Sequence, residues 1–208
     1  MPPSTISPGV WLPELSARAR GLKWLLLDVD GVLTDGRLWF DAKGEVVKVF
    51  DVRDGLGIKL LTGAGIEVGI LSARTSPIVA KRSRDLGLTE VLQGRENKLD
   101  AFRDFLLRHE LEAVEVAYLA DDLLDLAVLA ACGLSAAPAD AVPDVRSRVH
   151  YVTSAGGGRG AVRELAERLL RARGVWESIV ERFATPAAPD VGAGVAEPAS
   201  APDEDNHS

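Results

Sequence analysis

The sequence predicts an α/β fold with a largely parallel sheet, and three observations carry that expectation. Short apolar runs alternate along the chain with longer segments of helical periodicity. Strands that alternate with helices imply right-handed crossovers and hence parallel neighbours. Three of the predicted strands end in acidic or hydroxyl residues, and in such sheets ligands bind at the carboxyl ends of the strands.

Residues 1–10 hold three prolines and two serines and read as loose chain. A short helix is expected over 11–20, where Ala17, Arg18, Ala19 and Arg20 favour it. The first strand is read over 24–28, because the run Leu25-Leu26-Leu27 is too short for a helix and suits a buried central strand. A β-hairpin follows, with flanks at 37–40 and 45–51 around the turn Asp41-Ala42-Lys43-Gly44. Its place straight after the first strand makes it a flap over a site. A helix over 58–62 ends at Gly63 and Gly65. The next strand covers 67–71, and Ser76 and Pro77 open a helix over 78–86. A turn and short strand occupy 87–92, and Asn97 and Lys98 open a helix to about residue 109. Strands are read over 114–119, 134–137 and 151–153, with a short helix over 126–131 and a helical turn over 141–146. A glycine-rich run over 156–160 precedes a last helix over 161–173, with Val162, Leu165, Ala166 and Leu169 on one face. The division expected is an N-terminal extension over 1–20, partly disordered, one domain over 21–183, and a disordered tail over 184–208 with too few apolar anchors to fold.

Length and composition bound the function. The chain has 208 residues, 47% hydrophobic and 26% charged, which suits one globular domain with tails. The formal net charge of −7 argues against a nucleic-acid partner, since phosphate contacts want basic surface. The single cysteine, Cys132, excludes an intrachain disulfide and reads as a buried small hydrophobe. No stretch is apolar enough to suggest a membrane span, and the first residues do not read as a secretory signal. A cytoplasmic protein is expected.

The chemistry starts at Asp28-Val29-Asp30-Gly31. In extended geometry Asp28 and Asp30 leave the same side of the chain. Two carboxylates that close need a cation or a shared proton, and Mg²⁺ answers that need with oxygen ligands. Ser72 and Arg74 end the second predicted strand, and Asp121, Asp122 and Asp125 end the fourth. Lys98 opens a helix at the same edge, where a cation opposes the helix dipole and calls for a compensating anion. A hydroxyl, a lysine and several carboxylates around Mg²⁺ make a phosphate site. In it, Asp28 can attack phosphorus, and Asp30 can protonate the leaving oxygen and later activate water.

These motifs resemble a known family. Asp28-Val29-Asp30-Gly31-Val32-Leu33-Thr34-Asp35-Gly36, Ser72, Lys98 and Asp121-Asp122-(x)₂-Asp125 resemble, in order, the four motifs of the haloacid dehalogenase superfamily. With Val52-Arg53-Asp54-Gly55, Gln93-Gly94-(x)₂-Asn97-Lys98 and the segment 157–164, the chain is similar to 3-deoxy-D-manno-octulosonate 8-phosphate phosphatases from about residue 22 to 170. The resemblance implies a Rossmann-like core without a cap domain, a Mg²⁺ requirement, and a homotetramer in which the hairpins form a central barrel and neighbours close each site. It implies Asp28 as nucleophile and Asp30 as general acid/base, with Mg²⁺ held by Asp28, the Asp30 backbone carbonyl and Asp121. It implies Ser72 and Lys98 on the phosphate, with Asp122 and Asp125 in support. Arg74, Arg53 and Arg159 are candidates for the substrate carboxylate. The family usually has Gly where this chain has Ala73 and Ala120.

The implied reaction is Mg²⁺-dependent hydrolysis of the octulosonate 8-phosphate in lipopolysaccharide precursor synthesis. Two alternatives keep parts of the pattern: a phosphatase for a nine-carbon sialic-acid-type 9-phosphate, and a non-catalytic assembly module. Bland readings exist as well: Asp121 and Asp122 as a solvated turn, Arg53 and Asp54 as a mutual pair, and the glycine run as a flexible loop. His109, His150 and His207 lack ligand spacing and read as surface residues, and Trp39 and Phe40 as packing between subunits.

Overall fold

The structure is a computed structural model and describes residues 9–185. In chain order its helices and strands are α1 (Pro13–Arg20), β1 (Trp24–Leu27), β2 (Trp39–Asp41), β3 (Gly44–Val47), α2 (Val52–Gly63), β4 (Glu67–Leu71), α3 (Pro77–Leu86), β5 (Glu90–Leu92) and α4 (Lys98–Arg108). There follow β6 (Val116–Leu119), α5 (Leu126–Ala131), β7 (Leu134–Ala137), α6 (Pro143–Arg146), β8 (Tyr151–Val152), α7 (Ala161–Ala172) and α8 (Trp176–Ala184).

Six strands form one sheet in the order β5-β4-β1-β6-β7-β8, and every adjacent pair is parallel. The α/β expectation therefore holds. All four residues of β1 are buried, because helices cover both faces of the sheet. Alternation divides them. Leu25 and Leu27 join the core beneath α2 and α7, with Val68, Ile70, Leu165 and Leu169. Trp24 and Leu26 join the opposite core, with Phe102, Phe105, Tyr118 and Val128. The chain winds outward from β1 through β4 to β5, then returns to β6 and winds the other way. The sheet thus reverses direction between β1 and β6, which opens a crevice at their carboxyl ends. Asp28 and Asp121 sit at that crevice.

Several boundaries differ from the sequence reading. The helix expected from residue 58 begins at Val52. Gly55 and Gly57 lower helix propensity, yet the Asp51 side chain accepts from the Arg53 backbone N–H at 2.7 Å and caps the helix. Gly57 is also where α2 crosses α7: a Cβ there would lie 3.1 Å from the Arg163 Cα. A helix was not expected after residue 173, but α8 is present, turned off α7 at Gly174 (φ 74°). Its Trp176 and Ile179 are buried on one face. Residues 113–115 form a 3₁₀ turn rather than the start of a strand. The helix α1 begins two residues later than expected, behind Pro13, and buries Leu15 and Ala19 in the core. The expected disorder over 1–8 and 186–208 lies outside the described residues. Neither His109 nor His150 is a plain surface residue. The ring of His109 lies 4.8 Å from Trp24 and 4.6 Å from Phe105, and His150 Nδ1 accepts from the Ser135 backbone N–H at 3.0 Å. His207 lies outside the described residues. Cys132 is buried as expected, and burial pushes its thiol up to about 12.

Asp54 joins the two packed helices. Its carboxylate accepts from the Gly160 N–H at 3.3 Å and the Arg163 N–H at 2.8 Å, closing the N-terminus of α7. The Arg53–Asp54 pairing expected as the bland reading is not what forms, because Arg53 turns to Asp51 instead, at 2.6 Å. Burial, with Asp51 nearby, raises Asp54 to about 6. A carboxyl raised on folding binds protons more tightly in the native state, so its contribution to stability falls as pH rises through about 4 to 6. Asp54→Asn removes that dependence. Urea unfolding at pH 4 and pH 7 is expected to show the variant gaining about 2 kcal/mol relative to wild type across the interval.

Candidate active site

The crevice at the switch point is a cleft of about 240 Å³ whose wall includes Asp28, Asp30, Ser72, Arg74, Lys98, Asp121, Asp122 and Asp125. Residues spread over nearly a hundred positions converge there because each follows a parallel strand or opens a helix at the same edge. Gly31 makes the turn after β1 with φ 85°, and a Cβ there would run into the Asp121 carboxylate. The glycine run after β8 supports this turn: the Gly158 N–H donates to the Val32 carbonyl at 2.8 Å, and the Gly157 N–H donates to Asp140 at 2.9 Å. The run is thus hydrogen-bonded structure and not a free loop.

Lys98 is the electrostatic centre. Its ammonium lies 2.9 Å from Asp28 Oδ2 and 2.5 Å from Asp125 Oδ1, and it is almost fully buried. The helix-dipole conflict is met here by these two anions. Burial alone would lower the lysine, but Asp28 and Asp125 outweigh it and hold the ammonium above its ordinary range. Tyr118 donates to Asp125 at 2.5 Å from beneath, and burial drives its phenol well above the usual value. Sequence reasoning passed over Tyr118, which is one residue among the apolar positions of a central strand.

The carboxylates remain in excess. Burial and then Asp125 raise Asp28 to about 6, against the pull of Lys98. Burial and then Asp28 raise Asp121 to about 7. Oxygens of Asp28, Asp121 and Asp125 lie within 4.8 Å of one another, and Asp125 Oδ2 is buried without a hydrogen-bond partner among the described residues. Oxygens at about 2.1 Å from one Mg²⁺ lie roughly 3–4 Å apart. Asp28 and Asp121 thus offer oxygens suited to a hard divalent cation, while Asp125 is engaged by Lys98.

Asp30 behaves differently. Its carboxylate turns from this trio to Lys48 and to the Arg74 Nε at 3.3 Å. Lys48, at the foot of the β2–β3 hairpin, and Glu45, beside its turn, were not singled out in the sequence, where a lysine among exposed valines looks like an ordinary edge residue. Arg74 lies in the cleft wall, with its guanidinium 5.9 Å over the Phe40 ring. Asp122 caps the turn behind the site by accepting from the Leu123 N–H at 2.7 Å. Arg53 and Arg159 are not among the cleft residues: Arg53 is fixed by Asp51 and donates to the Arg159 carbonyl at 3.0 Å, at the junction of α2 and α7.

Comparison with known proteins gives these residues their setting. No family model matches the chain. It is 45% identical over 160 residues to the 3-deoxy-D-manno-octulosonate 8-phosphate phosphatase KdsC of Haemophilus influenzae, covering 77% of this chain and 89% of that protein. It is likewise 45% identical over 161 residues to the Escherichia coli K12 protein of the same name, covering 77% and 86%. Among solved structures, the cobalt-bound Haemophilus influenzae phosphatase superposes with a TM-score of 0.78 at 43% identity, over 81% of this chain and 99% of that one. The Moraxella catarrhalis 3-deoxy-D-manno-octulosonate 8-phosphate phosphatase, in complex with magnesium, phosphate and KDO, gives 0.81 at 32% identity, over 83% and 99%. A haloacid dehalogenase superfamily hydrolase from Legionella pneumophila gives 0.78 at 39% identity, over 83% and 95%. Identity of this extent, over nearly the whole of each relative, joins a fold and a carboxylate–lysine cleft that the sequence motifs already implied. The chain belongs to the 3-deoxy-D-manno-octulosonate 8-phosphate phosphatase family of the haloacid dehalogenase superfamily.

Proposed function

We propose that the cleft hydrolyses 3-deoxy-D-manno-octulosonate 8-phosphate to the free sugar acid and phosphate, with Mg²⁺, in lipopolysaccharide precursor synthesis. The observation that carries the reading is the meeting of Asp28, Ser72, Lys98 and Asp121 in one cleft at the switch point. An Asp28 carboxylate oxygen attacks phosphorus, the bond from phosphorus to the C8 oxygen breaks, and Asp30 gives its proton to that oxygen. Asp30 then takes a proton from water, whose oxygen attacks the aspartyl phosphate, releasing phosphate and restoring Asp28. Lys98 and Ser72 hold the phosphoryl oxygens, which is most of what phosphoryl transfer asks of a protein. Asp122 and Asp125 keep the loop and Lys98 in place. Mg²⁺, held by Asp28, the Asp30 backbone carbonyl and Asp121, neutralises phosphoryl charge when bound. Arg74 receives the sugar-acid carboxylate, for which a guanidinium fork is suited.

Assembly follows the same reading. Trp39, Phe40, Val46 and Val47 of the hairpin are all exposed in the single chain, a patch of the kind that marks interfaces. A homotetramer built on these hairpins supplies neighbour contacts at each flap, and Arg53 and Arg159 serve substrate there. The catalytic unit is residues 21–183 with no cap domain, and α1 packs on it. The enzyme works in the cytoplasm; among the described residues no helix is long and apolar enough to cross a membrane.

Phosphate release from a panel containing the eight-carbon 8-phosphate, a nine-carbon sialic-acid-type 9-phosphate and ordinary sugar phosphates tests the substrate. Preference for the eight-carbon acid is expected; better turnover of the nine-carbon acid overturns the assignment while keeping the mechanism. The metal is tested without turnover. Excess Mg²⁺ at about a hundred times its dissociation constant is expected to stabilise wild type by about 2.7 kcal/mol, read as a rise in thermal midpoint. Asp121→Asn is expected to lose most of that rise.

A further inference from the structure

We infer that Lys48, at the foot of the hairpin, is the positioning residue for Asp30, holding the carboxylate that serves the leaving oxygen. The inference rests on the role proposed above for Asp30.

Lys48 occupies a place that lysines avoid. Its side chain is 1% exposed, while Val47 and Val49 on either side are exposed. Lys48 follows directly on β3, where the chain turns this one side chain inward between two outward-facing valines. A buried ammonium needs anions around it, and two meet this one. Asp30 Oδ1 is one of them, and Glu45 Oε1, at 3.0 Å, is the other. Glu45 is itself fixed, because its Oε2 accepts from Ser76 Oγ at 2.5 Å. The Ser76 N–H in turn donates to Gln93 Oε1 at 2.7 Å. The ammonium is therefore held between the hairpin and the loop after β1, and its Glu45 partner is braced by the loops after β4 and β5.

The division of Asp30 between two cations gives the arrangement its meaning. Arg74 reaches Oδ2 at 3.3 Å but is 45% exposed and lines the cleft, so it is available to a substrate carboxylate. Lys48 is not among the cleft residues and holds Oδ1 from behind. When Arg74 turns to substrate, Lys48 remains, and Oδ2 is left as the oxygen that handles the proton. Proton transfer in a transition state demands placement within hydrogen-bond reach, and small misplacements are costly. The hairpin thus does more than cover the site: its buried lysine orients the acid.

Leaving groups of different basicity isolate this role. The C8 alkoxide of the sugar acid needs a proton to depart, whereas p-nitrophenolate departs without one. The values of kcat/KM report the steps up to cleavage of the ester and leave out the later hydrolysis of the aspartyl phosphate. Lys48→Met is expected to lower kcat/KM for octulosonate 8-phosphate by about 30- to 100-fold, a part of the roughly 10²- to 10⁴-fold that a positioned general acid contributes. For p-nitrophenyl phosphate the loss is expected to stay below about threefold. Lys48→Arg, which keeps the cation, is expected to recover most of the loss. Equal losses on both substrates, or none on either, overturn the inference. The ratio is taken within one sample, so partial unfolding lowers both values alike, and Lys48→Gln reads the same ratio if Lys48→Met does not fold. Wild-type rates on the two substrates test the underlying reading by themselves.

Discussion

Lys98→Met is expected to lower the thermal midpoint of the metal-free protein by on the order of 10 °C and to reduce phosphate release at least about 10³-fold. The ammonium is almost fully buried between Asp28 and Asp125, at 2.9 and 2.5 Å. Removing one partner from a buried ion pair leaves uncompensated charge and costs about 3–5 kcal/mol. In a domain of this size each kcal/mol is worth roughly 2–4 °C. Here the orphaned groups are two carboxylates, with the Tyr118 phenol donating to one of them. Arginine is no substitute, because its planar fork demands more room than the compact ammonium occupies. Differential scanning calorimetry without metal and a phosphate-release assay with Mg²⁺ read the two effects. An unchanged midpoint would show that the cluster is not held by this lysine.

Asp28→Asn is expected to reduce turnover of octulosonate 8-phosphate by at least about 10⁴-fold while leaving the fold intact, the scale on which loss of a covalent nucleophile registers. The amide keeps the volume of the carboxyl and an oxygen for the Val29 N–H, which Asp28 Oδ1 now accepts at 2.7 Å. Lys98 keeps Asp125. The loss therefore falls on chemistry, and circular dichroism with steady-state kinetics separates it from unfolding.

The local alphabet of this chain made much of the fold readable. β4, α5 and β7 fall where the apolar runs and their stops put them, because those runs are bounded by Gly, Ser or acidic residues. The site was readable for a topological reason: Asp28, Ser72 and Asp121 each end a strand, and parallel strands send their ends to one edge. What escaped depended on contacts distant in sequence. The early start of α2 needs Asp51 as cap and α7 as the surface against which Gly57 packs. The helix α8 had a legible apolar face in Trp176, Ile179 and Phe183, but Gly174 masked it by ending α7. Lys48 carries no signal of its own, since only the folded hairpin reveals that it points inward to Asp30. Arg53 and Arg159 were linked to the site by motif resemblance, and within one chain they meet each other, not the cleft.

The central claim is that Asp28 carries the phosphoryl group between substrate and water. Protein mixed with octulosonate 8-phosphate and Mg²⁺, quenched in acid and reduced with borohydride, would convert an aspartyl phosphate to homoserine at that residue, detectable by peptide mass spectrometry. The account predicts homoserine at position 28, dependent on Mg²⁺ and missing from Asp28→Asn. Phosphate release at full rate with no modification at position 28, or with the modification at another carboxylate, would contradict it.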